Sequence, residues 1–453
     1  MPAAKLMITR MSICRQLNAE KFAKCYSTSS PSSSDRYPGT FDLVIVGGGI
    51  VGCATAREML VRHPEMKIAI VEKETKLAMH QTGHNSGVVH AGIYYTPGSL
   101  KAKMCVEGAK LSYDYFSKNN IPYKKVGKLI VAKNATETQR LNDLFVRGEK
   151  NGVLDLKIIE KDRIKDFEAN IKGEKALWSP WTGIVDWGLV CNAFGEDFRK
   201  MGGEIFLNSE VTGFTEMIES KDAQGKLMPM VVHTRNNKYI PTSYVLTCAG
   251  LHSDRVAKLT GCDPNPRIVP FRGEYFRLSD AKKSLITTNV YPVPDPRLPF
   301  VGVHFTPRMS GDMWIGPNAV LAFSREGYSW TQMNLKDCLE MATFPGLYKL
   351  CFKFAVPGCH EIIKSIFPQL TIKDLQKTFP GLTTKDISRD EAGVRAQALN
   401  AKGELVDDFV FDGGEGSIGK RVIHCRNAPS PAATSSMAIA KFISDKLKKD
   451  FKF

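Results

Sequence analysis

The stretch "FDLVIVGGGIVGCATAREML", Phe41 to Leu60, decides the fold. Leu43 to Val46 is a short, largely β-branched apolar run, the pattern of a strand buried on both faces of a parallel sheet. Helix formers follow at once, with Ala54, Ala56, Arg57 and Met59. Between the two, Gly47, Gly49 and Gly52 fill the frame GxGxxG. In that frame the first glycine makes the tight turn, the second lets a pyrophosphate approach the backbone, and the third lets the helix pack closely. The phosphates then rest on the helix N-terminus, whose first turn holds Ile50 and Val51. A lone GxGxxG is a weak signal; its context strengthens it. "KIAIVEKE" reads as a second buried strand ending in Glu72, 20 positions beyond Gly52, where a carboxylate accepts hydrogen bonds from a ribose. Lys73 follows on the same expected cofactor edge.

With 453 residues and 43% hydrophobic content, the chain is long enough for two or three domains. Its formal net charge of +15 raises nucleic acid, an anionic membrane surface or acidic substrates as partners. No aromatic-interleaved basic stripe accompanies that charge, so nucleic acid is not expected. Part of the excess lies in residues 1–40, where Lys5, Arg10, Arg15, Lys21, Lys24 and Arg36 face only Glu20 and Asp35. Basic, acid-poor and then Ser-rich, this segment reads as a mitochondrial transit peptide. The eleven cysteines form no CxxC pair and no metal-like spacing, so no metal site is expected and they read as buried thiols. No apolar run reaches the length of a transmembrane helix.

The nucleotide-binding segment reads as discontinuous. Leu189 to Phe214 reads as an amphipathic helix, a glycine stop and a strand. Tyr244 to Thr247 reads as a strand running into a small-residue turn at Ala249 and Gly250. Arg421 to Cys425 reads as a further strand, followed by a helix whose first turn holds Ser430 and Pro431. The fold class is therefore α/β (α+β). It comprises a Rossmann-like domain over 41–114, 181–265 and 381–453, and a second domain over 115–180 and 266–380 built on a mixed or antiparallel sheet.

The ordered set "VIVGGGIVG", "HNSGVVHAGIYY", "TCAGLHSD", "IVPFRGEY", "GVHFTPRM", "GPNAVLAF", "GVRAQAL" and "RNAPSPAATSS" resembles the FAD-dependent oxidoreductases of the D-amino-acid oxidase and glycerol-3-phosphate dehydrogenase type. Within them it resembles the L-2-hydroxyglutarate dehydrogenase family, over essentially everything from residue 41 onward. The resemblance implies FAD, a mitochondrial location in the matrix or against the inner membrane, and oxidation of L-2-hydroxyglutarate to 2-oxoglutarate. It also implies electron transfer to a non-oxygen acceptor, a quinone or an electron-transfer flavoprotein. By the same resemblance Gly47, Gly49, Gly52 and Glu72 hold the ADP half. Thr82, Asn85, Ser86 and Val88 lie along the flavin, Val211 offers backbone to the adenine, and Ala249 and Gly250 flank the pyrophosphate. Gly393, Arg395, Pro429, Ser430 and Pro431 meet the far end of the ring.

Oxidation of a 2-hydroxy acid needs a base for the hydroxyl proton, and histidine suits neutral pH. His304 sits in the polar phase of an alternating segment, expected on the open face of the second domain's sheet. A structural role for it competes with that reading. His90 resembles in position a histidine that some relatives link to flavin, so it could touch the ring without being the base. A dicarboxylate calls for two cations, and arginine's fork suits carboxylates. Arg272, Arg308 and Arg395 are the candidates, with Asn318 as a weaker polar contact. Phe344 to Phe367 mixes aromatics with Lys349, Lys353 and Lys364, which fits either an ordinary surface helix or a segment lying on an anionic membrane. A relative acting on a secondary amine or on glycerol 3-phosphate is the rival enzymatic reading.

Overall fold

The computed structural model describes residues 37–452 except 218–224, 226–227 and 299–300. The transit-peptide assignment, but for 37–40, lies outside these residues. Among the described residues the strands form sheets of eight, nine and three members.

The eight-stranded sheet grows from the opening motif. Phe41–Val46 is its central strand, with Ile68–Val71 parallel on one side and Tyr239–Thr247 parallel on the other. Glu204–Phe206 extends one flank, and Val422–Asn427 runs parallel to the end of Tyr239–Thr247. Leu43 to Ile45 are fully buried because both faces are covered, which is why the sequence shows a continuous apolar run rather than alternation. Helices Ile50–Arg62, Trp187–Lys200, Leu100–Lys118 and Ser436–Phe451 pack Met59, Phe194, Phe198, Phe116 and Leu447 against one face.

The nine-stranded sheet is mixed. Its one parallel pairing joins Lys128–Ala132 to Asn289–Pro292; the others are antiparallel. From Arg267–Leu278 the order runs through Met313–Gly316, His304–Pro307 and Asn289–Pro292 to Lys128–Ala132. Alternation divides its faces. Leu129, Val131, Val290, Phe305 and Ile315 enter one core, while Ile130, Ala132 and Tyr291 turn to the other side.

Two boundaries differ from the sequence reading. Residues 381–453 do not all stay with the first sheet: Ile387–Leu399 pairs with Arg267–Leu278 along nearly its whole length, from Leu399 opposite Arg267 to Ile387 opposite Leu278. A strand that long satisfies its backbone groups only beside an equally long partner, and Arg267–Leu278 is that partner. The last helix starts at Ser436 rather than at Ser430 and Pro431. Those two residues lie in a preceding turn, in which the Ser435 N–H donates to the Pro431 carbonyl at 3.0 Å.

Candidate active site between the two large sheets

The glycine loop is built to leave main chain uncovered. Gly47 has φ +115°, a region L side chains rarely adopt. A Cβ on Gly52 would lie 2.1 Å from the Gly47 carbonyl, and one on Gly47 would lie 2.4 Å from the Cys248 carbonyl. Gly49 caps the helix without a side-chain bond, and the Ile50 N–H donates to Thr82 Oγ1 at 3.0 Å. Val51 lies one residue further into that first turn, where its carbonyl accepts from Thr55 Oγ1. Glu72 closes over the loop: its carboxylate accepts from the Gly48 N–H at 2.6 Å and the Glu74 N–H at 2.9 Å. Its carbonyl accepts from the Ser209 N–H at 2.8 Å, which brings the strand beginning at Val211 alongside. The Ala249–Gly250 turn meets the same loop, because the Cys248 N–H donates to the Val46 carbonyl at 2.7 Å.

Residues 82–87 form the next wall. Asn85 folds this loop, donating from Nδ2 to the Thr82 carbonyl at 2.6 Å and accepting at Oδ1 from the Gly87 N–H at 2.8 Å. Ser86 lies beside Tyr275, whose hydroxyl pKa burial raises and Ser86 lowers in part. Arg308, a possible substrate clamp from sequence, braces this loop instead: it donates to the Asn85 carbonyl at 2.7 Å and lies 3.9 Å over the Trp314 ring. Gly393 presses on the same loop, where a Cβ would come within 2.3 Å of the His84 carbonyl. The turn after Pro429, Ser430 and Pro431 reaches it through Thr434. That hydroxyl accepts from the His90 N–H at 3.1 Å and donates to the Val88 carbonyl at 3.4 Å. Thr434 was not among the residues expected from sequence.

Facing this wall, the nine-stranded sheet presents His304, Tyr291, Lys128 and Arg395. His304 is only 6% exposed rather than open, because its ring stacks on Tyr291 at 3.7 Å. Its Nδ1 lies 2.9 Å from the Gly302 carbonyl. A carbonyl only accepts, so Nδ1 carries the proton and Nε2 keeps its lone pair. Burial, with Lys128 and Arg395 nearby, lowers the imidazole pKa to about 3. His90 is likewise pushed well below its usual range by burial, then by Lys128, His304 and Arg395, and its Nδ1 is enclosed with no hydrogen-bond partner. Both imidazoles are neutral at physiological pH. Burial holds the hydroxyls of Tyr94, Tyr95, Tyr275 and Tyr291 protonated, so they serve as donors.

Three expected site residues are engaged elsewhere. Arg272 is 1% exposed and already paired with Glu274 at 3.1 Å; its fork also donates to the Ser329 carbonyl and lies 4.4 Å from the Trp330 ring. It is a structural cation, as Asn318 is a structural amide bonded to the same Glu274. The ammonium of Lys73 is held by Glu74 and by Glu326, the latter at 2.7 Å, which leaves it no free charge for a cofactor. Conversely, Lys128 enters the site unannounced by any motif.

The family profile described as FAD dependent oxidoreductase matches residues 42–446. The chain belongs to the FAD dependent oxidoreductases. Among curated members, the mitochondrial L-2-hydroxyglutarate dehydrogenase of Caenorhabditis briggsae is 53% identical over 436 residues, 96% of this chain and 100% of that protein. The enzyme of the same name from Homo sapiens is 50% identical over 429 residues, 94% of this chain and 92% of that protein. Among solved structures, a dithionite-reduced L-alpha-glycerophosphate oxidase from Mycoplasma pneumoniae with FAD bound superposes with a TM-score of 0.68 at 24% identity, covering 89% of this chain and 93% of that one. A glycine oxidase from Bacillus cereus gives 0.60 at 18%, covering 90% and 95%. Those structural likenesses show the fold alone. FAD is the cofactor of this oxidoreductase family, and the residues present fit it: a glycine turn without side chains at a helix N-terminus for the diphosphate, a carboxylate at the strand end for the ribose, and an enclosed His90 Nδ1 without a hydrogen-bond partner among the described residues beyond.

Proposed function

We propose that this chain oxidises L-2-hydroxyglutarate to 2-oxoglutarate at the face where His304, His90, Lys128 and Arg395 converge. The observation that carries the reading is that convergence: two neutral, enclosed imidazoles with the buried Lys128 and the exposed Arg395 both near them. Gly47, Gly49, Gly52, Glu72, Ala249 and Gly250 would hold the ADP half of FAD, and Thr82, Asn85, Ser86, Val88, Gly393 and the turn after Pro429 its other half. Bound there, FAD supplies the acceptor for the hydride on C2. The residues of the chain do the rest. Arg395 and Lys128 draw a dianion into an enclosed site, where opposite charges attract strongly. His304 takes the hydroxyl proton at Nε2 as the C2–O bond becomes a carbonyl. Two flanking cations weaken an imidazole base, and an arriving dicarboxylate offsets them, so His304 gains basicity as substrate binds. Tyrosine hydroxyls donate to the carboxylates and exclude water from them.

The electrons then pass to a quinone or an electron-transfer flavoprotein, and the chain works in the mitochondrion against the inner membrane. Support for the membrane side comes from the surface. No helix among the described residues is long and apolar enough to cross a membrane. Helices Pro345–Lys353 and Ala355–Ile366, however, leave Phe352 89% and Val356 81% exposed beside Lys349 and Lys353. Flotation with cardiolipin-containing vesicles should weaken in Phe352→Glu; equal recovery removes the membrane from this reading. The reaction itself is tested by anaerobic mixing. L-2-Hydroxyglutarate should bleach the flavin band and the D-enantiomer should not, and a flavin that neither enantiomer reduces refutes the assignment.

A further inference from the structure

Lys128 is the least expected residue of the active-site face. It opens a strand whose every residue is buried, and it is itself 1% exposed. Its ammonium lies 4.0 Å from the Tyr291 ring centre and 5.2 Å from that of Tyr94. Among the described residues it has no carboxylate partner; the acid nearest in effect is Cys105, whose thiol burial pushes up to about 12 and so keeps neutral. A buried ammonium without a counter-ion is costly, and aromatic faces offset only part of that cost. Tyr94, whose ring flanks the ammonium, has an enclosed hydroxyl without a partner among the described residues.

The order of strands gives this cation a place. His304 and Lys128 are separated by the single strand Asn289–Pro292, which puts their strands about 10 Å apart at the usual spacing. Arg395 lies on the other flank of His304, three strand steps away through Arg267–Leu278 and Met313–Gly316. The base candidate thus stands between two cations, as C2 of a five-carbon diacid stands between its two carboxylates. Arg395, two residues from the Gly393 contact with the 82–87 loop, is the cation on the cofactor side.

Resting on the function proposed above, we infer that Lys128, with the rings of Tyr94 and Tyr291 beside it, is the specificity-determining anchor for the far carboxylate of the substrate, the group that separates a dicarboxylate from a short monocarboxylic hydroxy acid. Burial lowers the ammonium to about pH 7, so the free enzyme carries it partly neutral, and an arriving carboxylate recharges it.

The test uses the purified flavoprotein and two probes, glutarate and butyrate, titrated calorimetrically into wild type, Lys128→Met and Lys128→Gln. Each variant is first checked for wild-type flavin content and melting temperature. Glutarate affinity should fall about 10- to 100-fold in either variant while butyrate affinity is unchanged. Glutarate binding that stays as tight, or glutarate and butyrate weakened alike, overturns the role of Lys128. A wild type that binds glutarate no better than butyrate overturns both that role and the dicarboxylate reading. Should neither variant fold, wild type still decides. At pH 8, in buffers of different ionisation enthalpy, glutarate should take up about one proton more than butyrate. His90, His304 and Arg395 on one side and Cys105, Tyr94 and Tyr291 around the ammonium are the other groups facing it, and only Lys128 is partly deprotonated at that pH and beyond the reach of butyrate. Equal proton uptake by the two ligands refutes the inference.

Discussion

Two walls of one site are made from different material. Around Gly47 to Gly52 the chain offers main-chain groups in a geometry that no side chain can enter, and its one charge is Glu72. Opposite, the face carrying His304, Tyr291, Lys128 and Arg395 is made of side chains on a rigid sheet. The first wall recognises a group common to many enzymes, so its demands are steric and absolute. The second recognises one substrate, so its demands are electrostatic and graded. Substitutions should separate the walls: those in the first remove the cofactor, and those in the second leave a yellow but slow protein.

The largest effect should come from Gly52→Val. A Cβ there lies 2.1 Å from the Gly47 carbonyl, and because helix and strand are both buried, neither can move away. The flavin-to-protein absorbance ratio should drop to near zero. A variant that still binds flavin stoichiometrically would show that this wall is not steric after all. Next, His304→Ala should keep its flavin yet lose roughly 10²- to 10⁴-fold in kcat, the range for removing a general base. If only KM changes, His304 binds and does not take the proton, and His90 becomes the base.

A third test sets two arginines of adjoining strands against each other. Arg272→Ala strands Glu274 in the interior and should destabilise the protein by about 3–5 kcal/mol, read from urea unfolding, with little change in KM for what stays folded. Arg395 is exposed towards the site, so Arg395→Ala should unfold normally and raise KM for L-2-hydroxyglutarate at least tenfold. Reversal of the two phenotypes would undo the assignment of Arg272 to structure.

The two walls were also unequally legible. GxGxxG followed by Glu72 states a backbone geometry directly, since only glycine reaches φ +115° or tolerates a carbonyl at 2.1 Å. "FRGEYFRL" carries no such statement: whether Arg272 faces substrate depends on Glu274, two residues on, which takes its charge, and on a partner strand more than a hundred residues away. That same partner, Ile387–Leu399, left the nucleotide-binding segment for the second sheet because strand pairing is set by register and length, which no local pattern reveals. Lys128 was overlooked for a related reason. In "GKLIVA" a lysine at the head of an apolar strand reads as an edge residue, and its burial follows only from the neighbouring strands at Asn289 and Ser179. A charge inside an otherwise apolar strand was the available signal.

The smallest expected effect concerns acid stability, and it tests whether the imidazoles are held neutral by the fold. His424 is fully buried in the first sheet between Thr247 Oγ1 at 2.8 Å and Thr260 Oγ1 at 2.7 Å, and burial lowers it to about 4. His304 in the second sheet falls to about 3. A histidine whose folded pKa lies below its unfolded value binds its proton more readily when unfolded, so stability rises with pH through that interval. Above pH 6.5 neither residue contributes. From there down to about pH 4, each should cost roughly 1.4 kcal/mol per pH unit as an upper limit. Since the two sites lie in different sheets, a double comparison resolves them. His424→Gln should remove one share of the acid sensitivity with or without ligand. Glutarate should shrink the share due to His304 alone, because its charge offsets Lys128 and Arg395 while the burial of the ring remains. A wild type whose unfolding midpoint is flat from pH 7 to 5 would mean that the imidazoles bind protons equally in the folded and unfolded chain, and so are not held neutral by the fold.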